Sequence, residues 1–385
     1  MKARFQLVRE LSCTPQALWP LLTDPEQMNR WSTAPITVAD NGIGDRPDGT
    51  GALRTVTLPG RGKARLHEVI EWSEFPRRLV YRVHDGGPLL LDHRGEQQLT
   101  ALPEGRCRLT WTVELSLLSS VASRVAARTI GRQVGESLDA LALVVVDAPA
   151  PQPDSIPPTD APVRPGPEGT AGLLAAAEES LAAQRATADR LAAAGDNKQW
   201  FARVYQYVTE EMMRTARTDR ELANPDWVLA LIPVFHDYFA RNLTAFESGD
   251  ECEPAWQRAW ALCESTDGRR PSRPVVGGLL AGVSAHIDVD LPRALSEVHV
   301  RRYPGRDLRA FRPDYLRLAP VFSAASDRLL AELPRRFQPW WTPLAGRVHP
   351  RVRDELLARR GYHVGRHRLR AFAAACELVD ARSTH

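Results

Sequence analysis

Lysine is nearly missing from this chain. Lys2, Lys63 and Lys198 are the only three among 50 basic residues, the rest being arginines, and 47 acidic residues oppose them. A net charge of +3 over 385 residues is small, and no basic run interleaved with aromatics occurs. A nucleic-acid partner is therefore not expected. Cysteine is scarce as well. Cys13, Cys107, Cys252, Cys263 and Cys376 are scattered, odd in number and form no CxxC pair, which argues against a disulfide framework and a structural zinc site. No apolar run of membrane-spanning length is present, and the opening MKARFQLVREL has none of secretory type. No membrane span is expected, and the expected compartment is a reducing cytoplasm. GxSxG elbows, P-loops and dinucleotide fingerprints are absent. GRG at 60–62 and VVGGLLAG at 275–282 lack the strand-to-helix context such motifs need. Their glycines fit turns and close helix packing, and no organic cofactor is implied.

What remains is ordinary globular composition, 43% hydrophobic and 25% charged, in a chain long enough for two domains. The boundary is DAPAPQPDSIPPTDAPVRPGPEGT, residues 147–170. Its prolines support neither helix nor central strand, so it is expected to be a flexible tether. The expected division is a mixed domain over 1–146, the tether over 147–170 and an all-helical domain over 171–385.

In the first part, residues 3–11 read as a strand, and Thr14 with Pro15 opens a short helix that ends at Asp24-Pro25. Strands are expected near 51–58, 64–73, 78–84, 93–101 and 106–116, then an apolar helix over about 117–146. Alternation assigns faces. Leu109, Trp111, Val113 and Leu115 share one side of their strand, and Leu79, Tyr81 and Val83 share one side of theirs. Leu66, Glu68, Ile70 and Trp72 form a third row, and His93, Gln97 and Leu99 a fourth. His67 and His84 fall on the opposite, solvent-facing side.

The stretches VRELSCTPQALWPLLTDPEQMNRW, HEVIEWSEFPRRLVYRV, HRGEQQLT and CRLTWTVEL together resemble the START-like polyketide cyclase/dehydrase superfamily (SRPBCC), over about residues 1–146. The resemblance implies an α+β helix-grip domain around a ligand cavity. Members include hydrophobic-ligand carriers and aromatic cyclases, so chemistry has to be argued from the cavity. On the cavity reading Glu68, Tyr81 and His93 are the catalytic candidates, and Gln97, Trp111 and Trp72 contact the ligand. On the other reading Glu68 and His93 lie on the solvated convex face.

The second part reads as a helical bundle, with Gly195 ending one helix and Asn224-Pro225 starting another. Further helices are expected near 274–289, 293–300, 313–332 and 350–380. WFARVYQYVT, NPDWV, FHDYFARNLTAFE and LLAGVSAHIDVDLPRAL resemble a largely actinobacterial all-helical family of uncharacterised function. His236 sits in an apolar stripe with Leu229, Ile232, Phe239 and Leu243, beside Asp237. In SAHIDVDLPRAL, helical spacing pairs His286 with Asp290 and sends Asp288 elsewhere. Pro292 is expected to break the helix, with Asp290 free to cap the next one.

Three functions follow. The first is a cyclase of lyase or isomerase type, in bacterial secondary metabolism, acting on an apolar polyketide-like substrate. The second is a non-catalytic carrier or sensor of a hydrophobic molecule, with the helical domain as a partner-binding module. The third is a metal-dependent hydrolase in the helical domain, using His236, Asp237, His286 and Asp290. Metal binding is not expected; if a metal bound, His236, His286 and Asp290 would hold it. A structural His–Asp network in the helical core is the alternative for those four residues.

Overall fold

The computed structural model describes residues 2–59, 64–145, 169–265, 272–338 and 363–383. Two compact units form, Met1–Pro162 with Arg309–Pro313, and Val163–Leu308 with Asp314–His385. All but the last two residues of the proline-rich stretch 147–170 lie outside the described residues.

The first unit contains a seven-stranded antiparallel sheet in the order β1-β7-β6-β5-β4-β3-β2. The strands are β1 (Ala3–Leu11), β2 (Ile36–Asp40), β3 (Leu53–Thr57), β4 (Arg65–Glu74), β5 (Arg78–Asp85), β6 (Leu90–Leu102) and β7 (Arg106–Leu117). Strand β2 was not anticipated. Its five residues, ITVAD, follow Pro35 and pair only with β3, at the sheet edge. Helix α1 (Pro15–Thr23) begins as expected, with the Thr14 hydroxyl accepting the Ala17 amide and Pro15 in the first turn. Asp24 ends it and caps α2 (Pro25–Met28) through the Glu26 amide. Helix α3 (Ser120–Val144) starts three residues later than expected because β7 continues to Leu117 and Ser119 supplies the cap.

One face of the sheet is the core. Leu109, Val113 and Leu115 of β7, Leu79 of β5, Leu18 and Leu22 of α1, and Leu138 and Leu141 of α3 pack into one buried cluster. Helix α3 packs on β1 and β7, closing over the core face of the sheet.

The second unit is helical: α4 (Gly169–Ala193), α5 (Gln199–Thr218), α6 (Pro225–Ser248), α7 (Pro254–Cys263), α8 (Gly278–Ala285), α9 (Leu291–Arg302), α10 (Arg312–Arg317, whose first two residues fall to the first unit), α11 (Ala319–Glu332) and α12 (Val364–Ser383). Expected helix residues 350–362 lie outside the described residues. Gly195 follows α4 with φ +67° and Gly249 follows α6 with φ +79°, the left-handed conformation in which glycine ends helices. Asn224 precedes α6 but does not cap it. Its side-chain amide donates instead to Asp314 Oδ2 at 2.8 Å.

The expected break at Pro292 is not a break. Residues Arg273–Arg302 run as one helix, with a π-turn at His286–Asp290 joining α8 to α9. The Leu291 amide bonds the His286 carbonyl five residues back. This wider turn lets the helix continue past a residue without an N–H. By length and composition alone this helix is apolar enough to span a membrane. In this fold, however, Ala285, Ile287, Leu295 and Val298 are buried, as in a core helix. The glycines of VVGGLLAG serve packing: a Cβ on Gly278 would lie 2.4 Å from Cys263 Sγ, and one on Gly282 would lie 2.8 Å from the Phe201 ring.

Candidate functional site

Strand register places the polar residues of the first unit. Across the sheet, Ile70 pairs with Tyr81, Tyr81 with Gly95, Gly95 with Val113 and Val113 with Phe5. One step along, Leu79 pairs with Gln97, Gln97 with Trp111 and Trp111 with Leu7. His93 pairs with Leu115, and Glu68 with both Arg54 and Val83. Directly paired residues share a face, so Glu68, Tyr81, His93, Gln97 and Trp111 all stand on the core face, and all five are buried.

Trp72 does not join them. The β4–β5 register shifts between Ile70 and Trp72, and Trp72 pairs with Val80 on the other face. Glu71 marks the shift, its carboxylate held outside by Arg82 Nε at 2.5 Å and Arg94 Nε at 2.9 Å. His67 and His84 do lie on the outer face, but half-buried rather than exposed. The Thr55 hydroxyl and His67 Nδ1 are 3.1 Å apart.

The centre of the site is Tyr81. A Cβ on Gly95 would sit 2.1 Å from its Cζ and 2.3 Å from its hydroxyl, so the ring lies flat across the glycine. That posture brings the hydroxyl 3.1 Å from Trp111 Nε1. An indole N–H only donates, so the Tyr81 oxygen accepts and its own hydrogen remains available. Burial and the nearby Glu68 carboxylate hold the Tyr81 pKa above the usual phenol range, which keeps it a hydrogen donor. Trp31 packs edge-on against Trp111 with ring centroids 6.4 Å apart.

Glu68 is balanced by a residue that pattern reading missed. Arg54 Nη2 donates to Glu68 Oε2 at 3.2 Å, and its guanidinium carbon lies 5.5 Å from the Tyr81 ring centre. Burial raises the Glu68 pKa, and the Arg54 charge and hydrogen bond oppose that rise. His93 lies 6.2 Å from Tyr81 by ring centroid. Burial, the largest influence, holds its pKa down to about 4, so its imidazole is neutral. His93 Nδ1, Gln97 Oε1 and Arg54 Nε are buried without a hydrogen-bond partner. Unsatisfied buried groups are costly, and here three are grouped on the face that carries Tyr81. The arrangement can donate to a carbonyl oxygen through Tyr81 and accept from a hydroxyl or acidic C–H through His93 or Gln97. The signal for Arg54 was its place in the alternating LRTVT, and that for Gly95 was a glycine inside a strand.

In the helical unit His286 and Asp290 meet as their spacing predicts. His286 Nδ1 lies 2.8 Å from Asp290 Oδ2, which also accepts Trp256 Nε1 at 2.8 Å. Asp290 therefore does not cap α9. His286 stacks on Phe235 with ring centroids 3.5 Å apart. Burial lowers its pKa, against the opposing pull of Asp290. His236 is buried with its Nδ1 unpartnered, and burial lowers its pKa too. Asp237 does not join the cluster: it is exposed on the outer side of α6. Asp288 turns outward to Ser284 and His367. Among the described residues no three His, Cys, Asp or Glu side chains are grouped as metal ligands.

Comparisons with known proteins agree with this two-part construction. Residues 2–146 match the family described as polyketide cyclase / dehydrase and lipid transport. Uncharacterized proteins of Mycobacterium tuberculosis and Mycobacterium bovis are 30% identical over 113 residues, 29% of this chain. The match spans 65% of the length of those relatives, just under two thirds. Among solved structures, a START superfamily protein from Mycobacterium smegmatis is 10% identical, with a TM-score of 0.33, covering 37% of this chain and 97% of its own. Norcoclaurine synthase from Thalictrum flavum, in complex with dopamine and hydroxybenzaldehyde, is 12% identical with a TM-score of 0.32, covering 39% of this chain and 90% of its own. Residues 177–385, more than half of the chain, match a second family. By that match the chain belongs to the family of unknown function DUF5995.

Proposed function

We propose that residues 1–146 bind a largely apolar, carbonyl-bearing molecule of polyketide type and promote its cyclisation, as an enzyme of lyase or isomerase type in bacterial secondary metabolism. In this reading 147–170 is a tether and 171–385 a separate domain. The observation that carries it is the Tyr81 hydroxyl. It accepts from Trp111, keeps its own hydrogen, and stands on one apolar face with the neutral, unpartnered His93 Nδ1.

The chemistry is an aldol closure. His93 takes a proton from the carbon next to the ligand carbonyl, and Tyr81 donates a hydrogen bond to the oxygen on which charge develops. The carbanion carbon then bonds to a second carbonyl carbon of the same molecule. The resulting alkoxide recovers the proton from His93, giving the closed-ring β-hydroxy ketone; His93 then takes a second hydrogen from the same α-carbon and returns it to the departing hydroxyl, so that one water leaves and a ring double bond forms. The closed face contributes by holding the chain folded, which removes part of the entropic barrier. Gln97 and Trp111 orient the ligand, and Glu68 sets the field around Tyr81 through its pairing with Arg54.

That pairing also favours a second reading, a carrier or sensor of a hydrophobic molecule, because it occupies the one buried carboxylate on the face. A synthetic aryl poly-β-ketone separates the two. The enzyme reading expects cyclised product to form faster than in buffer, with Tyr81→Phe lowering the rate about 10²-fold. Recovery of the compound unchanged, with Tyr81→Phe altering affinity alone, would leave only the carrier.

A further inference from the structure

The helical unit holds a cavity of about 100 Å³. Its wall is largely apolar, with Phe235, Leu318 and Phe322 among the lining residues, and besides Tyr315 and Ser326 three polar side chains interrupt it: Tyr205, His286 and Arg368. Each of the three is at least 95% buried. Each also keeps a polar atom with no hydrogen-bond partner, namely Tyr205 Oη, His286 Nε2 and Arg368 Nε.

Arg368 is the anomaly. Its guanidinium lies between the Tyr315 and Phe322 rings, 4.3 and 4.5 Å from their centres, and one amino group donates to the Tyr315 carbonyl. No carboxylate pairs with it among the described residues. A buried charge without a counter-ion is expensive, and a ligand anion would relieve that cost. The other two groups define the rest of the ligand. His286 gives its Nδ1–H to Asp290, which leaves Nε2 as an acceptor. Tyr205 offers an O–H. At about 100 Å³ the space is smaller than the roughly 150 Å³ apolar cavity that takes up benzene, so it limits a ligand to one ring at most.

We propose that this cavity is a binding site for a small aromatic carboxylic acid carrying a hydroxyl group. Its carboxylate pairs with Arg368 and accepts from Tyr205, its ring fills the apolar space, and its hydroxyl donates to His286 Nε2. All the residues lining the site belong to the helical unit.

Calorimetric titration of the full chain with 4-hydroxybenzoate, benzoate and benzamide tests it. The expected order is 4-hydroxybenzoate, then benzoate, then benzamide, with benzamide at least tenfold weaker than benzoate. Arg368→Met should abolish the preference for benzoate over benzamide, and Tyr205→Phe should weaken benzoate about tenfold while leaving a buried hydroxyl absent rather than unpaired. Because Arg368→Met removes an uncompensated charge, the free protein should keep its melting temperature or gain. Four results each overturn the proposal: no binding of any probe, equal binding of benzoate and benzamide, unchanged benzoate affinity in both variants, or a large loss of stability in free Arg368→Met.

Discussion

Replacing Gly95 with alanine tests the geometry around Tyr81 most directly. The added Cβ would fall 2.1 Å from Tyr81 Cζ, a distance no contact tolerates, so the ring has to swing off the strand. Swinging breaks the 3.1 Å bond from Trp111, worth about 1 kcal/mol, and presses the phenol against the side chains packed beside it, at about 1–3 kcal/mol. Alanine returns about 0.5–1 kcal/mol by restricting the unfolded chain. The net loss is about 2 kcal/mol, enough to raise amide exchange through the central strands about 30-fold. Hydrogen-exchange mass spectrometry on peptides from β5, β6 and β7 reads this locally, whatever the helical unit does. In a Tyr81→Ala background the same Gly95→Ala change should cost nothing and should slow exchange slightly. Equal cost in both backgrounds would refute the reasoning, because the penalty would then not arise from Tyr81.

Arg54→Met should destabilise the first unit by about 3–5 kcal/mol by leaving Glu68 without its counter-charge. Adding Glu68→Leu should recover most of that in chemical denaturation, and a neutral single variant would show that the pair does not hold the site together. His93 predicts an acid dependence. Its pKa falls from 6.5 to about 4 on folding, so below 6.5 the unfolded chain takes up a proton that the folded one refuses. Stability is lost as pH drops through that window, by on the order of 3 kcal/mol. The difference between wild type and His93→Gln should therefore shrink steadily from neutral pH to pH 4; a constant difference would show that the imidazole is not shielded.

Alternation read the sheet correctly where strands are central and covered on one side. RLTWTVEL and HRGEQQLT put Trp111, His93 and Gln97 on the core face because β6 and β7 pair without interruption from Asp92 to Leu102. The same rule failed at Trp72, since a single shift at Glu71 turns everything beyond it over. Composition cannot announce such a shift. Arg54 and Arg368 were overlooked for a different reason. Arginine is seldom buried, and each is held by partners whose closeness only folding creates. The His286–Asp290 pair was legible because four-residue spacing brings side chains together in α and π turns alike. The supposed break was not, because proline removes a donor but does not say how the backbone will compensate.

The π-turn at His286–Asp290 makes the length of this segment as consequential as its chemistry. Each helical residue advances the chain by about 100°. Deleting Val289 would restore a regular ladder and leave every named side chain in the sequence. Because the wide turn already absorbs the rotation of one extra residue, α9 would keep Ala294, Leu295 and Val298 on its buried face. His286 and Asp290 would then stand three residues apart instead of four, so the deletion reaches the buried pair without removing either member of it.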